Sequence, residues 1–287
     1  MPDKAMASEA ESGGMPRLSS NLKLRIISGS LLAAVAFGLA YAGPLPFALL
    51  VLVCAVVISW EWGRLVRGNA FDLGFFIHAA AVTGAVVLAG LGYAALAIAA
   101  IAIAAITLIP LYFGRGARLS ALGVFYVGLP AISLLWLRSD EPYGFIAVLF
   151  IFAVVWLSDI AAFAAGRTIG GPKLWPAVSP NKTWAGLVGA LCAGAVSGAV
   201  FAVIEPDAGI ARLILVGTGL ALVAQSGDLA ESALKRHFHL KDASDLIPGH
   251  GGFMDRMDSI VAVAVAAALL ALSIDPHAPA RALLFGF

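Results

Sequence analysis

Apolar runs of about twenty residues recur along the whole chain, separated by short polar stretches. A run of that length matches what an α-helix needs to cross the hydrocarbon core of a bilayer. The pattern predicts nine membrane-spanning helices after a polar tail at residues 1–22, whose small and charged residues favour disorder. The predicted helices cover residues 24–42, 44–60, 73–91, 93–113, 118–137, 143–165, 184–204, 209–227 and 259–275.

Composition leads to the same class of protein. Of the 287 residues, 61% are hydrophobic and 12% are charged, whereas a soluble domain usually carries about 25% charged residues. The predicted fold is therefore all-α, a polytopic membrane protein with one transmembrane domain over residues 23–287. The net charge of +1 gives no overall field that would attract a polyanion, so no nucleic-acid partner is expected.

The first apolar run has a second interpretation. Ala40-Tyr41-Ala42 resembles a signal-peptide cleavage site that follows an apolar core. The long tail ahead of the run and the spans behind it favour a retained helix instead.

The basic residues predict the orientation. With the N-terminus in the cytosol, the inner segments hold 15 of the 18 basic residues, and the outer segments hold Arg138, Arg212 and Arg281. The positive-inside rule asks for this bias. We therefore expect a multi-pass protein of the cell membrane, with its polar loops near 159–184 and 228–258 at the cytosolic face.

The polar segment, residues 228–258, holds ten of the charged residues of the chain. A solvated loop is one interpretation. However, the charges begin inside a predicted helix, where Asp228, Glu231, Ser232 and Lys235 recur at helical spacing along one face. A carboxylate at the end of a spanning helix is costly unless it meets a cation, a metal ion or water. These positions therefore favour a site over a loop.

Two further features of the polar segment favour binding of a metal ion and phosphate. Asp255 and Asp258 are three apart at the start of the last predicted helix, so both carboxylates can converge on one ion. The run Pro248-Gly249-His250-Gly251-Gly252 permits a tight turn whose N–H groups could approach phosphate, although a purely structural turn is equally compatible with it. Lysine and arginine in the same segment suit phosphate oxygens. Together these groups are typical of phosphoryl or nucleotidyl transfer.

A second loop carries related chemistry. Asp159 lies near the end of a predicted helix, where a site residue and a helix-end residue reaching water are both plausible. Ser179-Pro180-Asn181-Lys182-Thr183 offers a hydroxyl, an amide and a cation in what we expect to be a rigid turn. It is not a Walker loop, because no glycine precedes the Lys-Thr pair at the required position.

Three histidines, His237, His239 and His250, raise the question of a zinc site. No cysteine lies near them and their flanks are basic, so zinc is disfavoured. We expect His237 and His239 to be exposed, and His250 to be placed for a hydrogen bond to phosphate.

The polar segment closely resembles the signature of the phosphatidate cytidylyltransferases, or CDP-diacylglycerol synthases. That signature is carried here by Ser232-x2-Lys235-Arg236-x4-Lys241-Asp242-x5-Pro248-x-His250-Gly251-Gly252-x2-Asp255-Arg256-x-Asp258. Gly227-Asp228-Leu229 and the segment 179–184 resemble two supporting motifs of the family. Asn181 and Ala185 replace the Lys and Glu that the family often has in the second of these, so no role is assigned to them.

The resemblance implies a reaction in which CTP (or dCTP) and phosphatidic acid give CDP-diacylglycerol and pyrophosphate with Mg²⁺ as cofactor. It implies metal ligation by Asp228 and Asp255, with Asp258 as a further ligand or behind them. The catalytic set would be Asp228, Lys235, Arg236, Lys241, Asp242, Asp255, Arg256 and Asp258. The substrate-binding set would be Ser179, Lys182, Thr183, Ser232, His250, Gly251 and Gly252.

Two other functions stay open from the sequence. A transporter could also use intramembrane carboxylates and glycine-rich breaks, but its polar residues should follow a path through several helices rather than gather at one face. A CTP-dependent lipid or polyprenol kinase would need a similar site. The oligomeric state is open as well, and a homodimer is one candidate.

Overall fold

The computed structural model describes residues 20–69, 71–112, 115–244, 246 and 251–287. Nine long helices and a short C-terminal helix account for most of them, with one two-stranded hairpin between the sixth and seventh helices. The helices are Ser20–Ala42 (α1), Pro44–Arg67 (α2), Leu73–Gly90 (α3), Ala94–Leu111 (α4), Arg115–Arg138 (α5), Gly144–Thr168 (α6), Trp184–Ile204 (α7), Ile210–His237 (α8), Met254–Leu272 (α9) and Pro279–Phe285 (α10).

Each of the nine predicted spans overlaps a long helix, and α7 has the predicted bounds, but only seven of these helices are long and apolar enough to cross a membrane within the described residues. The main differences are at polar ends. Helix α2 continues to Arg67 and α8 continues to His237, several residues beyond the apolar runs. Backbone hydrogen bonding sustains these extra turns, whereas hydropathy detects only the apolar part of each helix. The face that was predicted to carry Asp228 and Lys235 is therefore helical.

The strictly all-α prediction is wrong in one place. Lys173–Trp175 (β1) and Ser179–Thr183 (β2) form an antiparallel hairpin, with Lys173 paired with Thr183. The segment that we expected to be a rigid turn is thus a strand. Its last residue, Thr183, begins α7 by accepting a hydrogen bond from the Gly186 N–H at 3.0 Å.

Seven helices, α2 to α8, are long and apolar enough to cross a membrane, judged by length and composition within the described residues. Their outward side chains are large and apolar, as Val203 on α7 and Leu215 on α8 illustrate. A soluble protein rarely exposes apolar surface on this scale. The structure therefore supports a multi-pass membrane protein.

Helices α7 and α8 make a close crossing that depends on glycine. Gly194 and Gly198 lie four residues apart on α7 and face Gly217 on α8. A Cβ built on Gly198 would lie 2.0 Å from the carbonyl oxygen of Leu213, which is closer than atoms can approach. Small residues at this spacing let membrane helices pack backbone to backbone. This crossing fixes the position of α8, which carries Asp228.

One end of the bundle gathers the C-terminal ends of α2, α6 and α8 and the N-terminal ends of α7 and α9. Lys182, just before α7, pairs with Asp228 on α8 at 2.8 Å. Gln225 on α8 donates a hydrogen bond to Asp159 on α6 at 3.0 Å. Both predicted site loops therefore lie at the same end.

An ion pair with a tyrosine ties α2, α3 and α4 together at that end. Arg67 pairs with Asp72 at 2.8 Å, and the hydroxyl of Tyr112 donates to the same carboxylate at 2.5 Å. Asp72 also caps α3 through the Phe75 N–H. Burial alone would raise the pKa of Asp72, but these hydrogen bonds outweigh it and lower the pKa below its usual value. The cluster holds the three helix ends in register.

Candidate active site

A cavity of about 1250 Å³ joins the apolar interior to the polar end of the bundle. Its apolar wall is built by α2, α5 and α6, with Phe47, Val127 and Phe152 among its residues. Its polar end is built by the hairpin, α8 and the start of α9. The polar side chains that line the cavity are Ser30, Asp159, Arg167, Asn181, Lys182, Thr183, Gln225, Asp228, Asp255, Arg256 and Asp258.

The cavity is open on the side between α1 and α6. Ile160 and Phe163 line it, yet they are 65% and 69% exposed on the surface of the bundle. Phe37 and Tyr41 near the end of α1 contact Phe145 at the start of α6. The two helices thus meet at the end of the bundle away from the polar groups. A molecule with an apolar tail could enter from the side without passing through water.

Two helices and the hairpin supply the central charges. Asp228 lies on α8 next to Gly227, which lets α8 approach α9 within contact of the Asp258 carbonyl. Asp228 pairs with Lys182 at 2.8 Å and accepts a hydrogen bond from the Ser232 hydroxyl at 3.3 Å. Ser232 thus touches the Asp228 carboxylate and lies outside the cavity wall.

Asp255 is engaged by the protein itself. Lys235 donates to its Oδ1 at 2.5 Å, and the N–H groups of Ala243 and Gly252 donate to its Oδ2 at 3.0 and 2.8 Å. Lys235 also pairs with the buried Glu231 at 3.2 Å. In this arrangement Lys235 does not line the cavity, and its predicted contact with substrate phosphate stays a prediction. Its ammonium lies between the carboxylates of Asp255 and Glu231.

Gly251 and Gly252, the last two residues of the predicted glycine turn, are held by contacts within the protein. Gly251 has φ 81°, a conformation that favours glycine. Gly252 is buried, and its N–H donates to Asp255 rather than pointing into open space. A Cβ on Gly252 would lie 2.9 Å from carboxylate oxygens of both Asp255 and Glu61. The Gly252 N–H is thus already engaged, so a contact with phosphate stays a prediction that requires this hydrogen bond to open; His250 lies outside the described residues.

Of the remaining predicted residues, some lie in the cavity wall and others around it. Arg236 is exposed and donates to the carbonyl groups of Val178 and Leu240, at 3.4 and 2.9 Å, which holds the hairpin against α8. Thr183 lines the cavity, and its hydroxyl caps α7 by accepting from the Gly186 N–H. Ser179, Lys241 and Asp242 lie outside the cavity wall, while Lys182 and Arg256 line it.

The donor set at the polar end fits a hard cation such as Mg²⁺, because it consists of carboxylate oxygens. Both oxygens of Glu231 are buried without a hydrogen-bond partner within the described residues, and the Lys235 ammonium lies 3.2 Å from one of them. Within the described residues, no three acidic, histidine or cysteine side chains are close enough to surround an ion by themselves. In proteins Mg²⁺ usually takes one or two carboxylate ligands and completes its coordination shell with substrate phosphates and water.

The chain is similar to known proteins over most of its length. The profile of the cytidylyltransferase family matches residues 23–274. The chain belongs to the cytidylyltransferase family. It is similar to the phosphatidate cytidylyltransferase of Brucella suis, with 39% identity over 93% of this chain and 100% of the relative. It is also similar to proteins of that name from Bacillus subtilis, with 29% identity over 85% of this chain and 95% of the relative, and from Haemophilus influenzae, with 30% identity over 84% and 95%.

Membership in the cytidylyltransferase family does not reveal every residue at the site. The sequence motifs assigned no role to Gln225 or Glu61, and Asn181 was set aside as a departure from the family pattern. Gln225 binds Asp159 and lines the cavity, as does Asn181. Glu61 is the single acidic residue of α2 and lies fully buried. A lone carboxylate just beyond an apolar run was the signal that could have identified it.

Proposed function

We propose that this cytidylyltransferase transfers the cytidylyl group of CTP to phosphatidic acid, giving CDP-diacylglycerol and pyrophosphate for phospholipid synthesis. The observation that carries the proposal is a single cavity with an apolar wall between helices and a charged end. A lipid with a phosphate head group requires both. The names of relatives that this chain matches over most of their length support the same substrates.

In the proposed reaction, an oxygen of the phosphatidate phosphate attacks the α-phosphorus of CTP. The bond from that phosphorus to the oxygen bridging to the β-phosphate breaks, and pyrophosphate leaves with the electron pair. No strong base is required, since the second proton of a phosphate monoester has a pKa of about 6 and is largely lost at pH 7. The chemistry therefore depends mainly on bringing two polyanions together and holding them in line.

The residues that line the cavity would have different roles in this reaction. Lys182 and Arg256 are placed to hold phosphate oxygens, Arg256 with a fork that suits two oxygens at once. Asp228 and Asp258 are the carboxylates best placed for Mg²⁺, with Asp159 beside them; Asp255 would have to release Lys235 before it could join. Mg²⁺, when bound, would neutralise the triphosphate and orient it for attack. The apolar wall would keep the acyl chains out of water.

The position of the label decides between this reaction and a CTP-dependent lipid kinase. With purified protein, phosphatidic acid and Mg²⁺, CTP labelled at the α-phosphorus is expected to put its label into lipid. CTP labelled at the γ-phosphorus should instead release its label as pyrophosphate. A lipid product labelled from the γ-position, with the α-label left in CDP, would establish a kinase.

We also propose nine membrane spans with the N-terminus in the cytosol. Helices α1 and α9 would join the seven apolar ones, and the end that carries the site would face the cytosol. The basic residues support this orientation: Arg167, Lys182 and Arg236 lie at the site end, whereas Arg138, Arg212 and Arg281 lie at the other.

Cysteine labelling tests the orientation. In a background with Cys54→Ala and Cys192→Ala, a cysteine that replaces the exposed Leu240 is expected to resist an impermeant maleimide in intact cells. It should react after permeabilisation. A cysteine in place of the exposed His277, at the opposite end, is the matched control and should react in intact cells. The reverse pattern would overturn both the orientation and the cytosolic site.

A further inference from the structure

Glu61 reaches from α2 to the N-terminus of α9. Its side chain is fully buried. Oε2 accepts a hydrogen bond from the Met254 N–H at 2.5 Å, and Oε1 accepts one from the Phe253 N–H at 2.8 Å. The Ser244 hydroxyl donates to Oε1 as well. Three donors that are remote in sequence therefore converge on one carboxylate.

The carboxylate meets a need that α9 does not satisfy locally. The first N–H groups of a helix have no partner within the helix. The residue that precedes α9, Phe253, supplies no side-chain cap. A negative charge at a helix N-terminus is also favoured by the helix dipole. Glu61 therefore caps α9 from another helix.

The capped turn carries the charged groups of the site. Asp255 and Asp258 lie within the first turns of α9. Gly252 is wedged between Glu61 and Asp255, where a Cβ would lie 2.9 Å from an oxygen of each. A shift of this backbone would move Asp258 relative to Asp228 on α8.

We propose that Glu61 is a positioning residue, which anchors Ser244, Phe253 and Met254 to α2 so that Asp258 faces Asp228 across the cavity. This proposal rests on the proposed function for its kinetic consequence. The anchoring itself is a property of the fold and can be measured without any substrate.

The test uses Glu61→Gln in the full-length protein, purified in detergent. Gln keeps one acceptor oxygen but turns an NH₂ group towards N–H donors, so at least one donor loses its partner. Hydrogen exchange at the amides of Phe253 and Met254 should become about tenfold faster or more. In the cytidylyl-transfer assay, kcat should fall about tenfold or more, and the Mg²⁺ concentration for half-maximal rate should rise about threefold or more. Glu61→Asp keeps the charge, and it should recover part of the slow hydrogen exchange and part of the parental kcat and Mg²⁺ dependence.

Ser59→Ala on the same helix is the control. The Ser59 hydroxyl is buried but bonds to the Ala55 carbonyl of its own helix, so both readouts should match those of the parent protein. If Glu61→Gln does not fold, Ser244→Ala removes one donor and leaves the carboxylate in place. It should change exchange and Mg²⁺ dependence in the same direction by smaller amounts.

The outcomes separate three hypotheses. Faster exchange with unchanged kcat and Mg²⁺ dependence would reduce Glu61 to a structural cap and overturn the positioning role. Unchanged exchange in Glu61→Gln, or in Ser244→Ala where that variant has to stand in, would overturn the anchoring. A parent protein that fails to transfer label from α-labelled CTP to lipid would refute the proposed function, while the exchange measurement would still decide the anchoring.

Discussion

Replacing Asp228 with Asn should lower cytidylyl transfer about a hundredfold or more at limiting Mg²⁺. Asn keeps the shape of the side chain and one oxygen but removes a charge that an ion at this position needs. Loss of one such charge at a developing phosphoryl transition state costs on the order of 3 kcal/mol. Asp228 lines the cavity and lies against Lys182 and Ser232, so the change acts inside the site.

Asp258→Asn should produce a loss of similar size, and the double variant should lose little more than either single one. Two ligands of one ion act as a unit, so their effects do not add. Both single variants should need more Mg²⁺ to reach half-maximal rate. Asp275→Asn, the same change near the far end of α9, is the matched control and should keep parental kinetics.

The variant Lys182→Met distinguishes a role in the ion pair with Asp228 from a role in binding the metal ion. The Lys182–Asp228 pair is partly exposed, and such a pair by itself contributes about 0–1 kcal/mol to stability. Lys182→Met should raise the KM for a phosphate substrate without shifting the Mg²⁺ dependence.

Near-parental rates in Asp228→Asn and Asp258→Asn at limiting Mg²⁺ would rule out the assignment of these two carboxylates as metal ligands.

Gly198→Ala should lower the free energy of unfolding by about 1–3 kcal/mol, and Gly198→Leu should lower it further. The added Cβ meets the backbone carbonyl of Leu213, and a helix backbone cannot rotate away as a side chain could. Helices α7 and α8 must move apart, and α8 takes Asp228 with it. Thermal unfolding in detergent, followed by size-exclusion chromatography, measures the loss, and activity should fall with it.

Gly219→Ala is the matched control on α8, since a Cβ there has nothing within 4 Å. It should be neutral or stabilising by up to about 1 kcal/mol, because Ala favours a helix over Gly. Equal midpoints for Gly198→Ala and Gly219→Ala would show that the close crossing of α7 and α8 does not limit stability.

The order of the helices and most of their bounds follow from the sequence because each is a local property. An apolar run of about twenty residues forms a helix in lipid whatever its neighbours are, since every backbone N–H and C=O must be satisfied within the segment. Helix α7 was predicted to the residue for this reason. The polar extension of α2 was missed, and so was the hairpin, because hydropathy does not report on polar helical turns or strands. For α8 the predicted span ended at residue 227, although Asp228 to Lys235 were expected at helical spacing.

For the site, the sequence identified the polar segment and the residues Asp228, Lys182, Arg256 and Asp258, which line one cavity. It did so through residue type, spacing and a family resemblance. It placed Lys235 and Gly252 against substrate, whereas the structure pairs both with Asp255. A side chain with several possible partners takes the one that packing brings closest, and no local pattern encodes that choice.

By itself, the sequence determined a helical membrane protein with a charged cytidylyltransferase signature, because chain length, hydropathy and motif spacing are set by neighbours along the chain. Only the tertiary structure decided that Glu61 caps α9, that Lys235 pairs with Asp255, and that the open cavity joins its apolar wall to Asp228. Each of these depends on groups from different helices meeting in space. Glu61 and Met254, which are 193 positions apart, come within hydrogen-bonding distance because a buried carboxylate and the first N–H groups of a helix are each costly to leave without a partner.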